Sequence, residues 1–154
     1  MERIASFCVD HTRLERGMYL SRQDGDVLTW DIRMKKPNQG DYLTTAAAHT
    51  LEHLFATYAR NSAVKDGVIY VGPMGCRTGF YLLLAGDLTS EEIVPLMKGL
   101  FTFMRDYKDE VPGACAKDCG NYLDMNLPMA NWLADRFLRE VLDGIGPERL
   151  VYPE

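Results

Sequence analysis

The order of periodicities along the chain predicts an α+β fold: a mostly antiparallel β-sheet covered by helices, within a single domain spanning 1–154. Three observations lead to that class. Residues 17–34 read as a hairpin with a period of two, and two further short apolar strands lie at 68–71 and 80–85. Stretches with helical spacing are interspersed with the strands and close the chain. A chain of 154 residues fits one domain and can bury roughly 70% of the surface its unfolded form exposes.

In the hairpin, Asp24-Gly25 supplies residues that tolerate positive φ in a tight turn. Leu28, Trp30, Ile32 and Met34 then alternate with Val27, Thr29, Asp31 and Arg33, so the first set faces a core and Asp31 and Arg33 share the other face. Such a pair reads as an exposed ion pair of little energetic consequence. Pro37, Asn38 and Gly40 make 35–42 a loop. A helix over about 44–61 follows, with Thr44 or Thr45 as N-cap and Leu51, Leu54, Phe55 and Tyr58 as its apolar stripe. Between the two later strands, 72–79 (Gly-Pro-Met-Gly-Cys-Arg-Thr-Gly) reads as a turn made possible by its glycines.

A second helix should start near Thr89, because Thr89 and Glu92 have capping-box spacing. Ile93, Met97, Leu100, Phe101 and Met104 continue it, and Pro95 predicts a kink or a later start. Residues 111–122 form a cysteine-bearing loop or strand. Asn126 then caps a last helix that runs to about Asp143 and stops at Gly144.

Composition excludes several function classes. With 47% apolar and 25% charged residues the chain has the make-up of a folded globular protein. Its net charge of -5 argues against sequence-independent nucleic-acid binding and against attachment to an anionic membrane surface. No apolar run spans a bilayer, and Met1-Glu2-Arg3-Ile4-Ala5-Ser6 turns polar too early for a secretory signal, so a cytoplasmic location is expected. In that compartment Cys8, Cys76, Cys115 and Cys119 read as ligands or reactive thiols rather than disulfides.

The sharpest motif is His49-Thr50-Leu51-Glu52-His53. On a helix the two imidazoles, four residues apart, can reach one metal ion, and Glu52 lies near the same face where it can move protons. Two ligands do not complete a site; Cys115 and Cys119 are both candidates for a third. Their C-x3-C spacing together with H-x3-H also fits a closed four-ligand structural site, whereas catalysis requires three ligands and one open position. H-x-x-E-H alone would equally suit a small zinc peptidase. Cys76, flanked by glycines and Arg77, reads either as a thiol disposed to ionise or as a small buried residue. Cys8 reads as buried, and His11 as a structural histidine.

Ser6-Phe7 through Asp10-His11, Asp31-Ile32-Arg33, Pro37-Asn38, His49-Thr50-Leu51-Glu52-His53-Leu54, Pro73-Met74-Gly75-Cys76-Arg77-Thr78-Gly79 and Cys119-Gly120-Asn121-Tyr122 follow one another along nearly the whole chain. In that order they resemble the S-ribosylhomocysteine lyase family, which makes the precursor of autoinducer-2. The resemblance implies that His49, His53 and Cys119 hold one divalent metal, natively ferrous iron and often zinc in isolated material. It implies that Cys76 and Glu52 act as general base and acid, and that Ser6, His11 and Arg33 hold the ribose. It further implies a homodimer whose sites are completed by the partner's N-terminal segment. The reaction implied carries the sugar carbonyl from C1 to C3 and then expels homocysteine by β-elimination, leaving 4,5-dihydroxy-2,3-pentanedione. One departure stands out: Tyr70-Val71-Gly72 occupies the place where the family commonly has Asp-Ile-Ser, which bears on side-chain contacts to the amino-acid end of the substrate.

Overall fold

The computed structural model describes all residues 1–154. Strands β1 (Gly17–Asp24), β2 (Val27–Arg33), β3 (Val68–Pro73) and β4 (Gly79–Ala85) form one antiparallel sheet in the order β1-β2-β4-β3. Helices α1 (Thr45–Ala59), α2 (Ser90–Asp106) and α3 (Leu127–Phe137) complete the α+β architecture that the periodicities predict.

The sheet's inward residues come from alternate positions. Leu28, Trp30 and Ile32 of β2 and Phe80, Leu82 and Leu84 of β4 join Leu51, Leu54 and Phe55 of α1 in a single buried cluster of 29 residues. Ile93, Met97, Leu100, Phe101 and Met104 of α2 complete it from outside α1, and Ala130, Leu133, Ala134 and Phe137 of α3 pack with them. Phe101 bridges the layers, its ring 6.4 Å from Phe55 and 4.8 Å from Phe137.

Local chemistry sets the ends of each element. Gly25 turns the β1–β2 hairpin with φ of 62°. Thr44 caps α1 by accepting from the Ala47 amide, and α2 opens with the full Thr89/Glu92 capping box. Helix α2 does not start late: it begins at Ser90 and runs through Pro95. Pro95 is exposed, so the Glu91 carbonyl it leaves without a partner lies on the solvent side. Asn126 caps α3, whose last turn widens into a π-helical segment, Leu138–Leu142, before Gly144 ends it with φ of 72°.

Three expectations are corrected. The Asp31–Arg33 pair is not on the surface: the two residues are 0% and 2% exposed. Cross-strand register explains it. Arg33 lies between Gly17 of β1 and Gly79 of β4, which leave room for the guanidinium, while Asp31 lies between Tyr19 and Tyr81, which cover the carboxylate. Cys8 is exposed rather than buried, because it follows a short 3₁₀ turn, Ala5–Phe7, that buries none of its residues. The 72–79 turn does not rely on glycine for positive φ; Arg77 adopts φ of 60°.

Candidate active site

The metal-type donors are assembled from two parts of the chain. Helix α1 presents His49 and His53 one turn apart, with their Nε2 atoms 3.1 Å from each other. The loop at 111–122, which contains turns but no strand, brings Cys119 Sγ to 3.4 Å from His49 Nε2. The three donor atoms all lie within 4.8 Å of one another.

The hydrogen bonds behind the imidazoles show what this cluster is built for. His49 Nδ1 lies 2.8 Å from the Asp124 carbonyl oxygen, and His53 Nδ1 lies 2.7 Å from that of Pro112. A carbonyl oxygen only accepts, so each Nδ1 carries the proton and each Nε2 presents a lone pair. Two lone pairs and a sulfur facing one another repel unless a cation lies between them. The donor set therefore fits a divalent metal, and two nitrogens with one thiolate suit zinc or ferrous iron. Gly113 makes the close approach feasible. It has φ of 73°, and a Cβ there would stand 3.3 Å from His53 Nδ1.

Cys115 stays out of the cluster. Its exposed thiol is 3.3 Å from Asp118 Oδ2, so the four-ligand arrangement allowed by C-x3-C is not formed. Glu52 is half-buried and lines a cleft with His53, Ala56, Thr57, Pro112 and Gly113, where its carboxylate has no ion pair.

Cys76 is exposed, which removes the buried-residue reading. It lines a cleft of about 210 Å³ with His11, Pro37, Asn38, Tyr42 and Thr78. The turn that carries it is held from several sides. The Arg77 amide donates to Met74, the Met34 and Lys35 amides donate to the Thr78 carbonyl, and the Leu43 amide donates to the Arg77 carbonyl. Through Leu43, the Cys76 turn is fastened just ahead of the helix that bears His49.

The cation linked to Cys76 is Arg33 rather than Arg77. Arg77 directs its guanidinium toward the Leu43 carbonyl at 3.5 Å. Arg33 Nη1 donates to Thr78 Oγ1 at 2.8 Å, and that oxygen lies 3.1 Å from Cys76 Sγ. Burial opposes the Arg33 charge, but the Asp31 carboxylate outweighs it and holds the guanidinium's pKa above its ordinary value.

His11 shares the Cys76 cleft, with its Nδ1 2.9 Å from the Val9 carbonyl. Ser6 is placed elsewhere, in a cleft of about 640 Å³ whose walls include Tyr70, Tyr81 and Tyr152 on the sheet face that carries Asp31. Within one chain Ser6 and Cys76 therefore line different clefts. Sequence reasoning missed Thr78, Gly113 and Tyr152. Thr78 carried a signal, two residues beyond Cys76 in the same turn; Gly113 and Tyr152 gain their roles only from long-range packing.

The fold and the cluster define a small α+β protein with a His2Cys tripod of metal-binding type and, lining a separate cleft of the same chain, an exposed cysteine. Residues 4–147 match the family model described as S-Ribosylhomocysteinase (LuxS). Relatives named S-ribosylhomocysteine lyase include one from Clostridium acetobutylicum, 55% identical over 159 aligned residues with 100% of both chains covered. Another, from Porphyromonas gingivalis strain W83, is 52% identical over 159 residues, again with 100% of both covered. A third, from Borreliella burgdorferi, is 44% identical over 158 residues, covering 99% of this chain and 100% of the relative. The chain belongs to the S-ribosylhomocysteinase (LuxS) family.

Proposed function

We propose that this chain is a metal-dependent carbon–sulfur lyase that converts S-ribosyl-L-homocysteine to L-homocysteine and 4,5-dihydroxy-2,3-pentanedione. The observation that carries this reading is the pair of Nδ1-protonated imidazoles facing Cys119, on a helix whose N-cap directly follows Leu43, to which the Cys76 turn is fastened. Family membership supplies the substrate class.

His49, His53 and Cys119 would hold one divalent ion, ferrous iron natively and zinc as a substitute. When bound, such an ion acts as a Lewis acid toward the sugar carbonyl and its developing negative charge. Cys76 Sγ takes the proton from the carbon next to that carbonyl, helped by the Thr78 hydroxyl. Glu52, unpaired beside His53, exchanges protons with the sugar oxygens. Repetition moves the carbonyl from C1 to C3. Removal of the C4 proton then breaks the C5–S bond, and the sulfur leaves as homocysteine after taking a proton. His11 and Arg33 would orient the ribose.

The open cleft over the outer face of the sheet, lined by Ser6 and by Ile4, which is 57% exposed, supports a homodimer in which Ser6 of one chain completes the other's site. No helix is long and apolar enough to cross a membrane.

The test is to incubate metal-loaded protein with S-ribosylhomocysteine and follow free thiol. Thiol release above the metal-free control is expected, and Cys76→Ala and Glu52→Gln should abolish it while metal content stays at wild type. A metal-loaded wild-type protein that releases no thiol overturns the reading.

A further inference from the structure

The Asp31 carboxylate receives a third donor that the proposed mechanism does not use. Oδ1 accepts from Arg33 Nε at 3.1 Å, and Oδ2 accepts from Arg33 Nη2 at 2.6 Å. The Tyr152 hydroxyl also donates to Oδ2, at 2.7 Å. Tyr152 belongs to the last residues of the chain, which lie outside any helix or strand. Its neighbours Val151 and Glu154 are exposed, yet Tyr152 is half-buried. Its ring stacks on Tyr19 with centroids 5.0 Å apart and planes at 26°. Tyr19 is the cross-strand neighbour of Asp31, so the stack places the phenol hydroxyl over the carboxylate.

We propose that Tyr152 is a positioning residue for Cys76, acting through the continuous hydrogen-bonded chain Tyr152–Asp31–Arg33–Thr78. The inference rests on the lyase reading for its functional meaning, but its geometry stands without it. An ionised carboxylate offers about four acceptor sites, and the two-toothed Arg33 contact fills two. With Tyr152 on a third, Asp31 holds the guanidinium in one orientation, and Nη1 stays aimed at Thr78 Oγ1. Because Nη1 donates to that oxygen, the Thr78 hydroxyl keeps its own proton, and Cys76 Sγ at 3.1 Å is a nearer acceptor for it than Met74 Sδ at 3.9 Å. Thr78 is 3% exposed, so no bulk water substitutes in this chain.

Tyr152 is suited to the task. Burial, with the Asp31 charge adding, raises its pKa far above the ordinary phenol range, so it remains a donor throughout the working pH. Without its hydroxyl, Asp31 would draw Arg33 closer to itself and loosen the hold on Thr78. The other titratable groups facing Cys76 are His11 and Tyr42 in the same cleft and Tyr81 on β4, and all three are left in place by a change at Tyr152.

The experiment measures the pH profile of Cys76 alkylation by iodoacetamide, in a background where Cys8 and Cys115 are serine, alongside kcat and KM for thiol release. Y152F, which removes one oxygen and keeps the ring, is expected to move the alkylation midpoint upward by about half a pH unit. It should also lower kcat about 10-fold with KM little changed. In a Thr78→Val background Y152F should have no further effect on the profile. A purely structural role would lower the melting temperature without moving the profile. An unmoved profile, or a shift that persists at full size in the Thr78→Val background, overturns the proposal. Should wild-type protein release no thiol, the lyase reading fails, and the alkylation arm still decides the role of Tyr152 because it needs no substrate.

Discussion

Asp31 and Arg33 carry a large share of the site's electrostatics from fully buried positions. A buried ion pair adds little net stability, because desolvating both charges offsets their attraction; losing one partner is another matter. Asp31→Asn leaves the Arg33 guanidinium buried with no neutralising charge, since its other side-chain partner is the neutral Thr78 hydroxyl. The expected loss is about 3 to 5 kcal/mol, read as a shift of the denaturant midpoint with unchanged slope. The double change Asp31→Leu with Arg33→Met should recover most of that stability while leaving the alkylation rate of Cys76 at neutral pH below wild type. These residues also mark where the sequence stops being legible. His49 and His53 declare themselves by helical spacing, and Cys119 is one of only two candidates for a third donor. The burial of Asp31 and Arg33 is set instead by what stands opposite them across the sheet, Tyr19 and Tyr81 for one and Gly17 and Gly79 for the other. That register is a tertiary fact that alternation within β2 does not contain.

Glycines at the two ends of the Cys76 turn do different work, and substitution separates them. A Cβ on Gly79 would run into the Ile32 backbone carbonyl, which the β2–β4 ladder holds in place. Gly79→Ala is therefore expected to destabilise the protein by about 2 kcal/mol or more and to perturb the turn that carries Cys76. The atoms nearest a Cβ on Gly72 all belong to the Tyr70 ring, whose residue is 52% exposed and can swing outward. Gly72→Ser should shift stability by less than about 1 kcal/mol while changing the cleft that Tyr70 shares with Ser6. Thermal unfolding of both variants checks the contrast. The departure Tyr70-Val71-Gly72 is thus internally consistent, since the small residue makes room for the large one. The capping signals at Thr44, Thr89 and Asn126 and the Gly25 turn were legible because they are local. The π-helical turn after Phe137 and the positive φ at Arg77 were not, because each is imposed by the surrounding packing.

Across the whole molecule, long-range ion pairs and the metal cluster make separable contributions to stability. Glu140 is held below the ordinary carboxylate range chiefly by its hydrogen bond from Arg16, with Arg136 adding, and Glu15 chiefly by its hydrogen bond from Lys36. Their stabilisation, no more than about 1 kcal/mol for each partly exposed group, is fully present above about pH 5. It is lost as pH falls below the ordinary carboxylate range and through their lowered folded-state values. Glu140→Gln should therefore reduce urea stability at pH 7, by an amount that shrinks as the pH is lowered through the folded-state value. The metal acts differently. The hydrophobic core of 29 residues is built from the sheet and all three helices, so the chain is expected to fold without the ion. A chelator should leave far-ultraviolet circular dichroism and cooperative unfolding intact. The ion binds only the folded cluster, so at a free concentration 100 times its dissociation constant it adds about 2.7 kcal/mol, equivalent to about 5 to 10 °C in Tm for a chain of this size. The increment should vanish in Cys119→Ser and persist in Cys115→Ser, because Cys115 Sγ engages Asp118 instead of the imidazoles. Equal loss in both variants, or unfolding of the wild-type protein on chelation, would instead mark the cluster as a closed structural clasp with no position left for substrate.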